Sequence, residues 1–314
     1  MCPKTEILAP CGSQEALTAA LRAGADAVYF GAGNFNARRN ADNFDDGALK
    51  TAAEECRLYG ARMHITLNTL VGDSELRIFA KTLARVCHLS ADALIVQDLG
   101  VLRLAREMCP TAALHASTQM SVGTKAGLQL LKERGVARAV LPRELSKSEI
   151  ADLASQRPLE LEMFVHGAQC MCVSGRCLMS AMLGSRSGNR GLCAQPCRLA
   201  FSAEGGTGHD LSLKDLSLLA QLPMLVRMGI ASFKIEGRMK RPEYVAAAVT
   251  ACKEALDGVY TPLRRQDLEA LFSRSGFTDG YFQNQRGREM FGIRRKENVT
   301  AATDALLKSY AKLY

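Results

Sequence analysis

No stretch of the 314-residue chain approaches the roughly 20 consecutive apolar residues that a membrane-spanning helix requires, which excludes that class of protein. The opening MCPKTEILAP also lacks an apolar core of signal-peptide length, being broken by Pro3 and Lys4, so a cytoplasmic chain with no membrane partner is expected. Nor is the chain short of apolar residues: at 47% hydrophobic it is not a disordered protein, and its length suits one large domain or two ordinary ones. HExxH and a Ser–His–Asp order are both missing, so spacing reveals no hydrolytic site. Gly31-x-Gly33 belongs to no GxGxxG, and a tight turn accounts for it.

Short β-branched or aromatic runs recur along the chain, each followed by a helical pattern. They lie at Ile7–Pro10, Ala27–Gly31, Met63–Asn68, Ala93–Asp98, Ala113–Thr118, Ala139–Glu144, Leu161–Gly167 and Phe233–Gly237. Between them, Gln14–Ala23, Ala48–Tyr59, Glu75–Leu89, Val101–Met108, Lys125–Arg134 and Ser146–Ser155 read as helices. Ser13, Asp73/Ser74 and the Ser146/Glu149 pair stand at cap positions. Eight alternations of strand and helix predict an α/β fold of the (β/α)8 TIM-barrel type, with an open doubly wound sheet as the alternative. Polar residues gather at the carboxyl ends of these strands: Asn34, Asn68, Gln97/Asp98, Ser117/Gln119, Arg143/Glu144, His166 and Glu236/Arg238. A barrel builds its active site at that face. Residues 1–260 are therefore expected to form the barrel, with a long insertion at 168–231 after strand seven. Residues 261–314 would be a helical and loop extension packed on it. Within that extension, 276–299 reads as a surface loop.

Cysteine is abundant, at 11 residues, and an odd number in a reducing compartment points away from a disulfide framework. Cys2, Cys11, Cys56, Cys87, Cys109 and Cys252 are scattered singly and read as small buried hydrophobes. The other five, Cys170, Cys172, Cys177, Cys193 and Cys197, crowd into residues 163–203 among glycines that let backbone wrap tightly. The best four-cysteine set is Cys170, Cys177, Cys193 and Cys197. Only its last pair has a spacing that suits structural zinc, so an iron–sulfur cluster is favoured, with zinc or reactive thiols as alternatives. The C-x3-C-x2-C spacing of radical S-adenosylmethionine enzymes is absent.

Residues 163–203 contain no Asp or Glu but four arginines, Arg176, Arg186, Arg190 and Arg198. The segment Arg286–Lys296 adds Arg286, Arg288, Arg294, Arg295 and Lys296 against Glu289. Together these two segments hold the whole net charge of +8 and leave the remainder neutral. Arginine grips phosphate bidentately, and Phe282 and Phe291 lie nearby for stacking, so a bound polyanion beside the cysteines is expected, with solvated surface charge as the alternative. His115, His166, Glu236 and Arg238 are the candidates to face reacting groups. Glu236 with Arg238 is also able to hold a small carboxylate.

FVHGAQCMCVSGRCLMS (Phe164–Ser180) and NRGLCAQPCR (Asn189–Arg198) resemble the signature of the U32 peptidase (collagenase-like) family. LAPCGS, GADAVYFG, FNAR, LNTL, PREL and FKIEGRMK resemble that family's other landmarks, from Glu6 to about Gly292; Gln169 departs from its usual aliphatic residue. The resemblance implies a four-cysteine [4Fe–4S] cluster on Cys170, Cys177, Cys193 and Cys197. It also implies oxygen-independent hydroxylation of a pyrimidine in tRNA or ribosomal RNA, with prephenate or a similar small carboxylate as oxygen source. SGNRGLCAQPCR is most similar to the ribosomal branch. The family name implies a peptidase instead, with Cys170 or a metal-bound water as nucleophile. A third possibility is a non-catalytic iron–sulfur subunit that needs a protein partner.

Overall fold

A computed structural model describes residues 5–38, 44–206 and 208–314; Cys2 lies outside them. The strands in chain order are β1 (Glu6–Pro10), β2 (Ala27–Gly31), β3 (Arg62–Leu67), β4 (Ala93–Val96), β5 (Ala113–Ala116), β6 (Arg138–Val140) and β7 (Glu160–Gly167). They continue with β8 (Asp215–Ser217), β9 (Ser232–Ile235) and β10 (Phe277–Thr278). From β1 to β7 each pairs in parallel with the next, and β9 closes the ring by pairing with both β7 and β1. The eight barrel strands are the eight runs expected from the sequence, and the sheet is closed rather than open.

Helices α1 (Gln14–Arg22), α2 (Asp46–Tyr59), α3 (Leu76–His88), α4 (Leu99–Met108), α5 (Lys125–Glu133) and α6 (Lys147–Ser155) follow β1 to β6. Side chains supply the orphan amide partners at their starts. Ser13 accepts from Ala16, Asp45 from Ala48, and Asp98 from Gly100 and Val101, while Ser146 and Glu149 form a capping box. Asp73 and Ser74 do not cap α3. They form a 3-10 turn with Glu75, whose carboxylate reaches back 2.9 Å to the Gly72 amide.

Most of the core lies between the strands and the outer helices, whereas the inside of the barrel holds a small apolar cluster of Leu8, Ala27, Tyr29 and Ile95. Around that cluster the interior is charged. Arg138 donates to Glu6 at 2.5 Å, Glu160 at 2.7 Å and Glu162 at 3.1 Å, and Lys234 reaches Glu162 at 2.7 Å. Each buried charge thus has an opposite partner, the condition under which charges survive away from water.

After β7 the chain makes its long excursion through α7 (Met179–Gly184), returns as β8 and passes α8 (Leu222–Met228) to reach β9. β8 runs antiparallel to the end of β7, pairing Ser217 with His166. Beyond β9 come α9 (Pro242–Leu256), α10 (Pro262–Leu271), β10, α11 (Lys296–Thr300) and α12 (Asp304–Ala311). The segment expected as a surface loop is partly structural: β10 adds in parallel to β8, and Phe282 and Met290 are buried. Phe282, 2% exposed, is therefore not free to stack on a base. Two of the scattered cysteines also depart from the single-thiol reading, since Cys87 and Cys109 are joined as a disulfide with Cα atoms 5.4 Å apart. Cys11 and Cys252 are buried, and burial raises the pKa of both thiols.

Candidate active site at the barrel mouth

At the carboxyl ends of the barrel strands a cavity of about 100 Å³ opens above the interior cluster. Its floor is Tyr29, Phe164 and Lys234; its walls carry Arg38, Arg143, Glu236 and Arg238; Ser117, Gln119 and Cys170 lie on the side of the insert. Strand alternation explains the floor: Phe164 and Lys234 are register partners across β7 and β9, and both face inward. The Lys234 ammonium is held by Glu162 and sits 4.3 Å from the Tyr29 ring centre, a cation–π arrangement that fixes it.

Among the described residues Glu236 is the one carboxylate lining this cavity, against four cations. Arg38 donates to it at 2.9 Å and Arg143 at 3.3 Å. Burial alone would raise its pKa, but the charges of Arg38, Arg143 and Arg238 outweigh burial and hold it at about 2. Arg238 is 6% exposed and donates to Asn36 at 3.1 Å and Thr66 at 2.9 Å; burial lowers its pKa to about 10. Burial likewise lowers the Lys234 pKa, opposed by Glu162. Arg143 also stacks on Phe164, 3.7 Å from the ring centre. A small, largely buried pocket with this excess of positive charge favours an anionic ligand.

Glu236 and Arg238 thus stand where the sequence placed them, but the two histidines do not. His115 points into the barrel below the cavity, edge-on to His64 with ring centres 5.0 Å apart. Burial first, then the charge of Arg138, lowers its pKa to about 3. His166 points out of the barrel. Alternation from Glu162 and Phe164 would turn it inward, but a bulge between Phe164 and His166 breaks the register. The ring lies against Tyr244 of α9 and Phe277 of β10, and burial lowers its pKa to about 3. Neither histidine lines the cavity. Two of the four cavity cations, Arg38 and Lys234, went unassigned in the sequence, and Arg143 was noted only among the polar strand ends. Lys234 was detectable as the residue two before Glu236 on one strand face, and Arg143 as a strand-end cation.

The insert is fastened over this mouth. Glu144, just past β6, accepts from the Ser174 amide and hydroxyl, each at 2.9 Å. Gly175 packs so tightly on the Gln119 carbonyl that a Cβ would lie 2.2 Å from its oxygen, and its φ of +77° suits only glycine. Cys170, Cys177, Cys193 and Cys197 come together. Burial raises the Cys197 pKa, and Cys170, Cys193 and Cys177 are near enough to raise it further. Cys172 lies beside Cys177, with which it makes a side-chain hydrogen bond. Among the described residues no three His, Cys, Asp or Glu side chains converge tightly enough to hold a single metal ion. Four gathered thiols with no carboxylate in their segment are a soft donor set that fits a larger cluster, in which each thiolate meets a separate iron. Cys170 belongs both to this group and to the cavity lining.

The arginines divide by partner. Arg190 is engaged with Glu75 through both terminal nitrogens and with the Leu70 carbonyl at 2.7 Å, so it pins the insert to the start of α3. Arg198 donates to the carbonyls of Leu213 and Gln169, each at 2.6 Å, and to Ser212 at 3.1 Å. Both are structural ties rather than open phosphate contacts, because their donors are already satisfied within the fold. Arg176 and Arg186 are exposed on the insert, Arg186 touching the Leu192 carbonyl. Arg288, Arg294 and Arg295 are exposed on the other segment; Arg288 reaches the Gly205 carbonyl and Arg294 lies over Phe272. No helix among the described residues is long and apolar enough to cross a membrane.

Comparison with known proteins places this arrangement. The chain is 35% identical over 267 residues to the "tRNA hydroxylation protein P1" of Bacillus subtilis (strain 168), covering 81% of this chain and 63% of that one. It is 37% identical over 289 residues to the "23S rRNA 5-hydroxycytidine C2501 synthase" of Escherichia coli (strain K12), covering 89% of this chain and 43% of the relative. A "Collagenase" of Porphyromonas gingivalis (strain ATCC BAA-308 / W83) is 34% identical over 310 residues, covering 90% of this chain and 74% of that one. The chain therefore spans only part of each relative. Among solved structures, the U32 peptidase Mk0906 shares the fold at a TM-score of 0.53 and 13% identity, covering 75% of this chain and 94% of the other. The profile of peptidase family U32 matches residues 12–292, and the chain belongs to that family.

Proposed function

We propose that the chain is an RNA-modifying enzyme that hydroxylates a pyrimidine without molecular oxygen, using an iron–sulfur cluster held by Cys170, Cys177, Cys193 and Cys197. The observation that carries this reading is Cys170, which is shared between the thiol group and a cation-rich cavity. The hydroxylation names of two relatives agree with it. When bound, such a cluster supplies one-electron chemistry or a Lewis-acidic iron next to the cavity.

The protein's own residues do the rest. Arg38, Arg143, Arg238 and Lys234 bind the carboxylates of a small oxygen donor of the prephenate type, their charge exceeding that of Glu236. Glu236, held ionised, orients Arg38 and Arg143 toward the ligand. Lys234, fixed over Tyr29, stands at the floor as a hydrogen-bond and proton donor. A cavity this small admits a base only when it is splayed out of its helix. Exposed Arg176, Arg186, Arg288, Arg294 and Arg295 contact the phosphates.

The peptidase reading is favoured by the collagenase-named relative. Against it, no histidine lines the mouth cavity, so Cys170 and Ser117 have no imidazole base there. Mass spectrometry of tRNA and ribosomal RNA nucleosides from a deletion strain tests the proposal. Loss of one hydroxylated pyrimidine, restored by the wild-type gene but not by Glu236→Gln, is expected. An unchanged nucleoside profile would refute it.

A further inference from the structure

A second cavity, of about 140 Å³, lies beside the mouth where β9 passes into α9. Three cations line it, Lys240, Arg241 and Arg294, together with Tyr244 and Phe272, and among the described residues no carboxylate does. Lys240 and Arg294 both lie over the Phe272 ring, at 2.9 and 4.4 Å from its centre. None of the three side chains forms an ion pair among the described residues. The nearby acids are engaged elsewhere: Asp215 by Arg274, Glu236 by Arg38 and Arg143, and Glu243 by the Tyr314 hydroxyl. Like charges gathered without a counter-charge cost stability, and an anionic ligand relieves that cost.

We propose that Lys240, Arg241 and Arg294 form a phosphate-binding subsite next to the barrel mouth. Two arginine forks and one ammonium match the oxygens of a phosphate group, with Phe272 as the apolar wall that fixes the cations. The source of that phosphate is either the backbone of an RNA substrate, which rests on the function proposed above, or a free phosphate. The state of Lys240 supports the assignment. Burial lowers its pKa to about 7, with Arg274 and Arg294 adding to the effect and Asp215 and Glu236 opposing it. A bound anion restores the proton.

Calorimetry on the full, anaerobically prepared chain tests this with inorganic phosphate, sulfate and a short single-stranded oligouridine. Phosphate is expected to bind the wild type, and Lys240→Met with Arg294→Gln to weaken it by about tenfold or more, since each tenfold is about 1.4 kcal/mol. Arg241→Gln, at an exposed position, gives a second variant that does not disturb the core. Sulfate does not titrate near neutrality, so its binding near pH 8 should take up a proton in the wild type and not in Lys240→Met. Weakening of both phosphate and oligouridine assigns the site to an RNA phosphate; weakening of phosphate alone assigns it to a free oxyanion. Absence of phosphate binding, or binding unchanged in both variants, would overturn the proposal whatever the nucleoside profile of the deletion strain.

Discussion

Replacing Arg138 by Met removes the hub of the charged barrel interior. The side chain is 3% exposed and its partners Glu6 and Glu162 are fully buried. Losing one member of a buried ion pair costs about 3–5 kcal/mol, because the remaining charge is left uncompensated. Here the lower end applies. Glu6 keeps Arg62 at 2.6 Å and Ser232 at 3.0 Å, and Glu162 keeps Lys234 at 2.7 Å. The expected loss is therefore about 3 kcal/mol at pH 7, or roughly 4–5 °C in melting temperature for a chain of this size. Urea unfolding of wild type and variant, followed by circular dichroism under anaerobic conditions, measures it. The gap should narrow toward pH 5, because without Arg138 the Glu162 carboxyl titrates higher than its present value of about 2 and takes up a proton in the folded state. A variant within 1 kcal/mol of wild type at pH 7 would refute this account of the interior.

Acid should destabilise the fold well above the carboxylate range. Burial lowers the pKa of His64, His115 and His166, the last two to about 3, so the unfolded chain binds more protons below about pH 6.5. Stability is then full above that pH and falls toward pH 4 by up to about 4 kcal/mol per pH unit for three histidines. His166→Phe should reduce the slope by about one proton, and a flat stability profile from pH 7 to 5 would contradict the assignment. Arg190→Ala should loosen the insert from α3 at a cost of about 1–2 kcal/mol for a partly buried bidentate pair. It should also speed iron loss to a chelator; equal release rates would show that this tie does not hold the insert.

The eight barrel strands were legible because each is a β-branched run that ends in polar residues, as in Ala93–Asp98, and because capped helices separate them. β8 and β10 were not, since two or three residues of strand leave no period to read. The crowding of five cysteines into one segment was legible in the sequence, whereas their role as cluster ligands is the proposal made above. The fates of Arg190 and Arg198 were not legible: Glu75 lies far away in sequence, and the carbonyls that bind Arg198 belong to backbone with no residue signature. His166 was misplaced by a single bulge, which alternation cannot foresee. Glu162 and Lys234 look like ordinary surface charges in a strand, and only closure of the barrel puts them inside together.

Iron and sulfide content per chain, measured after anaerobic purification, tests the central claim most directly. The wild type and Cys172→Ser should each carry about four irons with matching sulfide, as a four-thiolate cluster requires. Serine at Cys170, Cys177, Cys193 or Cys197 should lower that content sharply. A wild-type chain that holds only zinc, or iron content indifferent to all four substitutions, would contradict the account.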